Sequence, residues 1–157
     1  MITQRLFAAV DNRLKVASPL RKALRKVFPD HWTFMFGEIA LYSFVVLVLT
    51  GVYLALFFDA SDADTTYRGA FAPMDGQTTS AAFASALNLS FDVRAGLLMR
   101  QTHHWAALVF IGAIVVHLCR IFFTGAYRRP REINWVIGVT MLLLALLNGF
   151  TGYSMPD

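Results

Sequence analysis

Apolar and polar positions divide the chain into three long apolar runs, about Trp32 to Phe58, Gly96 to Phe123 and Asn134 to Tyr153, with polar segments between them. Each is near or above the ~20 residues that carry an α-helix across a bilayer core. Ahead of them, apolar residues recur at helical spacing (Leu6, Val10, Leu14, then Leu20, Leu24, Val27) beside a basic face. That pattern predicts an amphipathic helix over residues 1–30 lying on the membrane surface, interrupted near Ser18-Pro19 and ended by Pro29-Asp30. The stretch "DASDADTTYRGAFAPMDGQTTS" is polar with Gly and Pro and predicts a loop. The following "TSAAFASALNLSFDV" predicts a short helix packed back on the same surface. In "TGAYRRPREIN", Pro130 cannot continue a helix and Asn134 can cap the next one, so this segment predicts a short turn. No run is a signal peptide, because thirty mostly polar or amphipathic residues precede the first and no small-residue cleavage site follows it. The predicted fold class is all-α: a transmembrane helical bundle (residues 31–157) with an N-terminal amphipathic surface arm (residues 1–30).

Composition agrees, with 57% hydrophobic and 15% charged residues and a mean hydropathy of +0.53. A net charge of +4 raises the question of nucleic acid, and the distribution of the charge answers it. Residues 1–31 hold seven basic residues: Arg5, Arg13, Lys15, Arg21, Lys22, Arg25 and Lys26. The end of the second run and the turn after it add Arg120, Arg128, Arg129 and Arg131. The long connection between runs one and two holds only Arg68 and Arg94 against Asp59, Asp62, Asp64, Asp75 and Asp92. Positive charge concentrates on the cytoplasmic side of membrane proteins. The N-terminus and the second connection are therefore predicted inside, and the acidic connection and Asp157 outside. The basic excess is topological and gives no sign of nucleic acid. The single cysteine, Cys119, excludes an intrachain disulfide and reads as a small buried hydrophobe.

Within this apolar background, "RQTHHWAALVFIGAIVVHLCR" carries His103 and His117 in one run, with Arg100 and Arg120 three residues outside them. Ionisable groups at membrane depth are costly and mark function by default. Fourteen residues separate the histidines, about 40° short of four full turns, so they share a helix face about 21 Å apart. His104 falls roughly 140° from His117 and drops out. A single zinc ion needs ligands about one turn apart, whereas this spacing suits two cofactors at two depths. Haem fits, since imidazole is a common axial ligand of its iron and arginine forks suit its propionates. The other two runs repeat the interval: Gly37 and Gly51 are fourteen apart, and so are Gly138 and Gly152. Each pair can leave a side-chain-free patch at two depths, with Gly149 a weaker rival to Gly152.

Taken together, Arg100-x-x-His103, His117-x-x-Arg120, the two glycine pairs and the closing "GYSMP" closely resemble cytochrome b of the respiratory quinol–cytochrome c reductases. The resemblance covers that family's helices A, B and C, about residues 30 to 156. The stretches "RQTHHWAAL", "FTGAYRRPREINWVIGVT" and "GFTGYSMPD" look like its actinobacterial form. Asp157 stands where mitochondrial-type members tend to have tryptophan. The resemblance implies three spanning helices of a four-helix haem bundle and two b-type haems. His103 would serve the outer low-potential haem and His117 the inner high-potential haem, each opposite a histidine from helix D. It implies oxidation of a quinol at an outer site, with Phe150 and Tyr153 lining that site. One electron would pass through a Rieske iron–sulfur protein toward cytochrome c, and the other through both haems to an inner quinone site. It further implies a plasma-membrane location, a dimeric complex, proton translocation and, from the actinobacterial likeness, menaquinone.

Helix D and the later "PEWY" loop of the family do not occur in this sequence, so the chain is expected to be a fragment or one piece of a split subunit, inactive alone. His31, near the inner surface, and His104 cannot stand in for the missing ligands. Two rival readings are a haem b membrane anchor of another dehydrogenase and a haem-free membrane segment.

Overall fold

The computed structural model describes residues 31–155, so the amphipathic helix expected over residues 1–30 and the side assigned to Asp157 lie outside the described residues. Three helices are long and apolar enough to cross a membrane. A short 3-10 turn, Trp32–Phe34, leads into α1 (Met35–Ala55). A short helix α2 (Ala81–Phe91) precedes α3 (Gly96–Phe123), and α4 (Glu132–Ser154) closes the order. The bounds of α3 match the expected run. The first run ends earlier than expected, at Ala55, and the third begins earlier, at Glu132. Asn134 therefore does not cap α4. Arg131 occupies the N-cap without a side-chain hydrogen bond, and Asn134 lies inside the first turn.

Helix α3 packs antiparallel along most of α1 and meets α4 over a smaller area. On α1 the less exposed positions, Gly37, Ala40, Ser43, Leu47 and Thr50, recur at helical spacing, the stripe expected of a helix that buries one face. The remaining faces of all three spans are large and apolar: Leu49 is 67% exposed, Leu144 60% and Phe123 81%. In water such surface would drive association; in hydrocarbon it is solvated. Helix α4 has no buried residue among those described.

The connection between α1 and α3 is more ordered than a polar loop. Strand β1 (Asp64–Thr66) pairs antiparallel with β2 (Thr78–Ser80), in the register Asp64 with Ser80, Thr65 with Thr79 and Thr66 with Thr78. The expected helical bundle is present, and its connection adds a two-stranded ladder built on β-branched threonines, which favour extended backbone. Ser80 caps α2 by accepting from Phe83 N–H at 3.1 Å. Tyr67, 1% exposed, is the core of this unit, and its hydroxyl accepts from Phe71 N–H at 3.3 Å. Alanines 82, 84 and 86 with Leu89 and Ser90 form the buried side of α2. The expected short helix is therefore present, and it does pack back: Arg100 of α3 donates to Ser90 Oγ at 2.9 Å. Close packing at the α2–α3 junction depends on Gly96, where a Cβ would strike the Leu89 carbonyl oxygen.

Candidate functional site: two histidine levels on one helix

The α1–α3 pair is organised in levels. At the level nearer the start of α3, His103 of α3 faces Gly51 of α1, where an added Cβ would lie 3.3 Å from His103 Cε1. At the level nearer the end of α3, His117 faces Gly37, where an added Cβ would lie 3.0 Å from Cε1 and 3.2 Å from Nδ1. The equal fourteen-residue intervals on antiparallel helices bring both glycine–histidine pairs together in a single register. Midway between them, the rings of Phe44 and Phe110 pack 5.7 Å apart. One turn beyond His117, the Arg120 guanidinium lies 3.9 Å over the Phe34 ring, a cation–π contact.

The two levels differ in their hydrogen bonds. Thr50, which is 7% exposed, brings its Oγ1 within 2.9 Å of His103 Nδ1. The same oxygen lies 2.7 Å from the Val46 carbonyl, four residues back on its own helix. At the His117 level, the buried Nδ1 has no hydrogen-bond partner among the described residues, and neither does Arg120 Nε. The sequence reading missed Thr50. The available signal was a hydroxyl immediately before a glycine on the inward stripe of an apolar run.

The remaining expected residues fall as follows. Arg100 is engaged by Ser90. Gly138 of α4 packs against α3 beside Leu118, whose Cδ2 would lie 2.9 Å from an added Cβ, so it borders the His117 level without facing the imidazole. Gly149 meets Ile111, and Gly152 has open space beside it. Phe150 and Tyr153 are 72% and 77% exposed at the far end of α4. His104 is exposed and off the shared face, with its ring edge-on to Trp105. Among the described residues, no three His, Cys, Asp or Glu side chains converge as one metal site.

Residues 108–157 match the family model described as "Cytochrome b(N-terminal)/b6/petB". The cytochrome bc1 complex cytochrome b subunit of Mycobacterium bovis is 61% identical over 148 residues, 94% of this chain and 27% of that protein. Its counterpart in Streptomyces coelicolor is 56% identical over 147 residues, again 94% of this chain and 27% of the relative. Among solved structures, a hyperthermophilic respiratory Complex III matches with a TM-score of 0.70 and 25% identity, covering 95% of this chain and 34% of that one. The chain thus spans about a quarter of the length of the curated relatives it matches. With 56–61% identity to actinobacterial cytochrome b subunits across nearly all of its length, the chain belongs to the cytochrome b family.

Proposed function

We propose that this chain is the part of a bc1-type cytochrome b that supplies one axial imidazole to each of two b haems. The observation that carries this reading is the shared register: one helix offers two imidazoles at two depths, each against a glycine of the neighbouring helix. The residues fit the group in three further respects. Thr50 Oγ1, bonded to the Val46 carbonyl, faces His103 Nδ1 and leaves Nε2 available. Arg120 Nε is a buried polar atom without a partner among the described residues, and such an atom calls for one. The glycines remove the side chains that would otherwise fill the space beside each imidazole. When bound, haem b supplies reversible one-electron chemistry.

In this reading His103 serves the outer, low-potential haem and His117 the inner, high-potential haem, with the opposite imidazoles coming from the remainder of cytochrome b. Arg120 and Arg100 neutralise propionates; Arg100 would exchange or share its Ser90 contact to do so. Gly138 and Gly152 offer bare backbone on α4, and Phe150 and Tyr153 line an outer quinol-oxidation site. The proposed reaction is quinol–cytochrome c reduction with menaquinol as donor, a Rieske protein and a cytochrome c subunit as partners, and a dimeric complex in the plasma membrane. Residues 1–30 serve as the cytoplasmic surface arm. Electron movement from the outer to the inner level works against the membrane field at about 2.3 kcal/mol per charge per 100 mV, which is how such a protein conserves energy.

The test is optical. In the complete complex reduced with dithionite, two b-type α-bands are expected, with one lost in His103→Ala and the other in His117→Ala. Bands left intact in both variants would sink the ligand assignment. Menaquinol-dependent reduction of the cytochrome c partner checks the reaction; its absence in the intact complex would count against the reductase reading.

A further inference from the structure

We propose that Thr50 fixes His103 as the Nδ1-protonated tautomer and, by accepting that proton's hydrogen bond, lowers the reduction potential at the outer level below that at the inner level. The inference rests on the ligand roles proposed above and adds a positioning residue to one of them.

A threonine hydroxyl carries a single hydrogen. Thr50 Oγ1 stands 2.7 Å from the Val46 carbonyl, an acceptor only, so the hydroxyl hydrogen is committed there; Leu47 O, at 3.3 Å, is an acceptor too and can only share it. This back-bond to the preceding turn is a common arrangement for threonine within a helix, and it fixes the side-chain rotamer. The lone pairs of Oγ1 then face His103 Nδ1 at 2.9 Å. Two acceptors do not bond, so Nδ1 brings the hydrogen, which leaves the Nε2 lone pair free to bind a metal. Thr50 is 7% exposed, so water does not compete for this contact.

A hydrogen bond donated from the far nitrogen of a ligating histidine orients the ring and raises its basicity. A more basic ligand stabilises the higher charge, Fe(III) over Fe(II), and so lowers the one-electron potential. The inner level has no equivalent. His117 Nδ1 is buried without a partner. The difference originates on α1: the residue before Gly51 is Thr50, whereas the residue before Gly37 is Phe36, which has no acceptor. One helix thus presents a hydroxyl to one imidazole and, among the described residues, no acceptor to the other.

The experiment is a redox titration of the holo-complex, followed optically and by low-spin ferric EPR, for wild type, Thr50→Val, Thr50→Ala and Thr50→Ser. The haem whose band disappears in His103→Ala is expected to titrate at higher potential in Thr50→Val and Thr50→Ala, with a shifted EPR signal. The other haem should be unchanged, and Thr50→Ser should return the potential toward wild type. Thr50→Ala gives the same reading if the bulk of valine hinders assembly. Unchanged potentials with both haems bound, or equal shifts in both, would overturn the proposal. Failure of His103→Ala to remove a band would instead overturn the ligand assignment beneath it.

Discussion

Gly37 and Gly51 show what a single hydrogen atom in place of a side chain does at each histidine. A Cβ at residue 37 would press on His117 at 3.0 Å, and one at residue 51 would meet His103 at 3.3 Å. Both are tighter than ordinary van der Waals contact, so each imidazole must give by a few tenths of an ångström, with the closer approach at residue 37. Overpacking of this kind typically costs about 1–3 kcal/mol. On the proposed ligand roles, Gly37→Val is therefore expected to displace His117 and deplete the haem it would serve, while Gly51→Ala retains the haem assigned to His103 with a perturbed spectrum. Haem stoichiometry from pyridine haemochrome and difference spectra measures both; equal retention in the two variants would count against the register. At this scale much was legible beforehand. His103, His117 and Gly37 and Gly51 were visible as matched intervals of polar or side-chain-free positions in apolar runs. Thr50 was not, because a threonine in an apolar helix ordinarily bonds its own backbone, and only the three-dimensional register brings an imidazole to its other side.

At the scale of elements, the sequence located the spans well because about twenty consecutive apolar residues have few alternatives to a membrane helix. It failed at their ends and in the connection between the first two. Asn134 carries a good capping side chain, yet the preceding turn delivers the chain into helix at Glu132, and the Asn134 side chain arrives too late to cap. The β1–β2 ladder has three residues a side, too few for alternation to be detected above the background of a Thr-rich loop. The same connection yields a prediction at Gly96. A methyl group there would push against the Leu89 backbone carbonyl, an atom that cannot rotate away. Gly96→Ala is expected to part α2 from α3 and strain the Arg100–Ser90 contact. Limited proteolysis of the assembled complex should then cut within residues 81–95 several-fold faster than in wild type. Gly76→Ala serves as a control: its φ of 80° carries a backbone cost, but no atom lies near its added Cβ. Unchanged cleavage in Gly96→Ala would argue against the tight α2–α3 junction.

At the scale of the whole molecule, the fold carries the acidic connection and the basic turn to opposite ends of the bundle. Asp62 and Asp64 lie in the connection at one end of the bundle, whereas Arg128, Arg129 and Arg131 lie in the α3–α4 turn at the other. Arg129 is highly exposed and, among the described residues, pairs with Glu132 at 3.3 Å, a contact worth little in solvent. In a Cys119→Ser background, Asp62→Cys is expected to react with a membrane-impermeant thiol reagent added outside intact cells. Arg129→Cys should react only after permeabilisation. The reverse pattern would invert the proposed topology. The orientation expected from counts of Lys and Arg depends on net placement of charge and not on packing, and the labelling pattern decides it. The degree to which α4 stands apart was not readable, because an apolar helix has the same composition whether protein or lipid surrounds it.

The matched intervals on α1 and α3 have a consequence for how such a chain can change over time. Each added residue turns a helix by about 100° and advances it by about 1.5 Å. A substitution between His103 and His117 disturbs one neighbourhood, whereas an insertion or deletion there would swing one histidine off the shared face while leaving the other in register. Either helix can thus accept new side chains one at a time, but its length between the two levels can change only if its partner changes by the same amount, on the opposite strand of the pair, in the same step. The stretch is open to point mutation and closed to insertions and deletions.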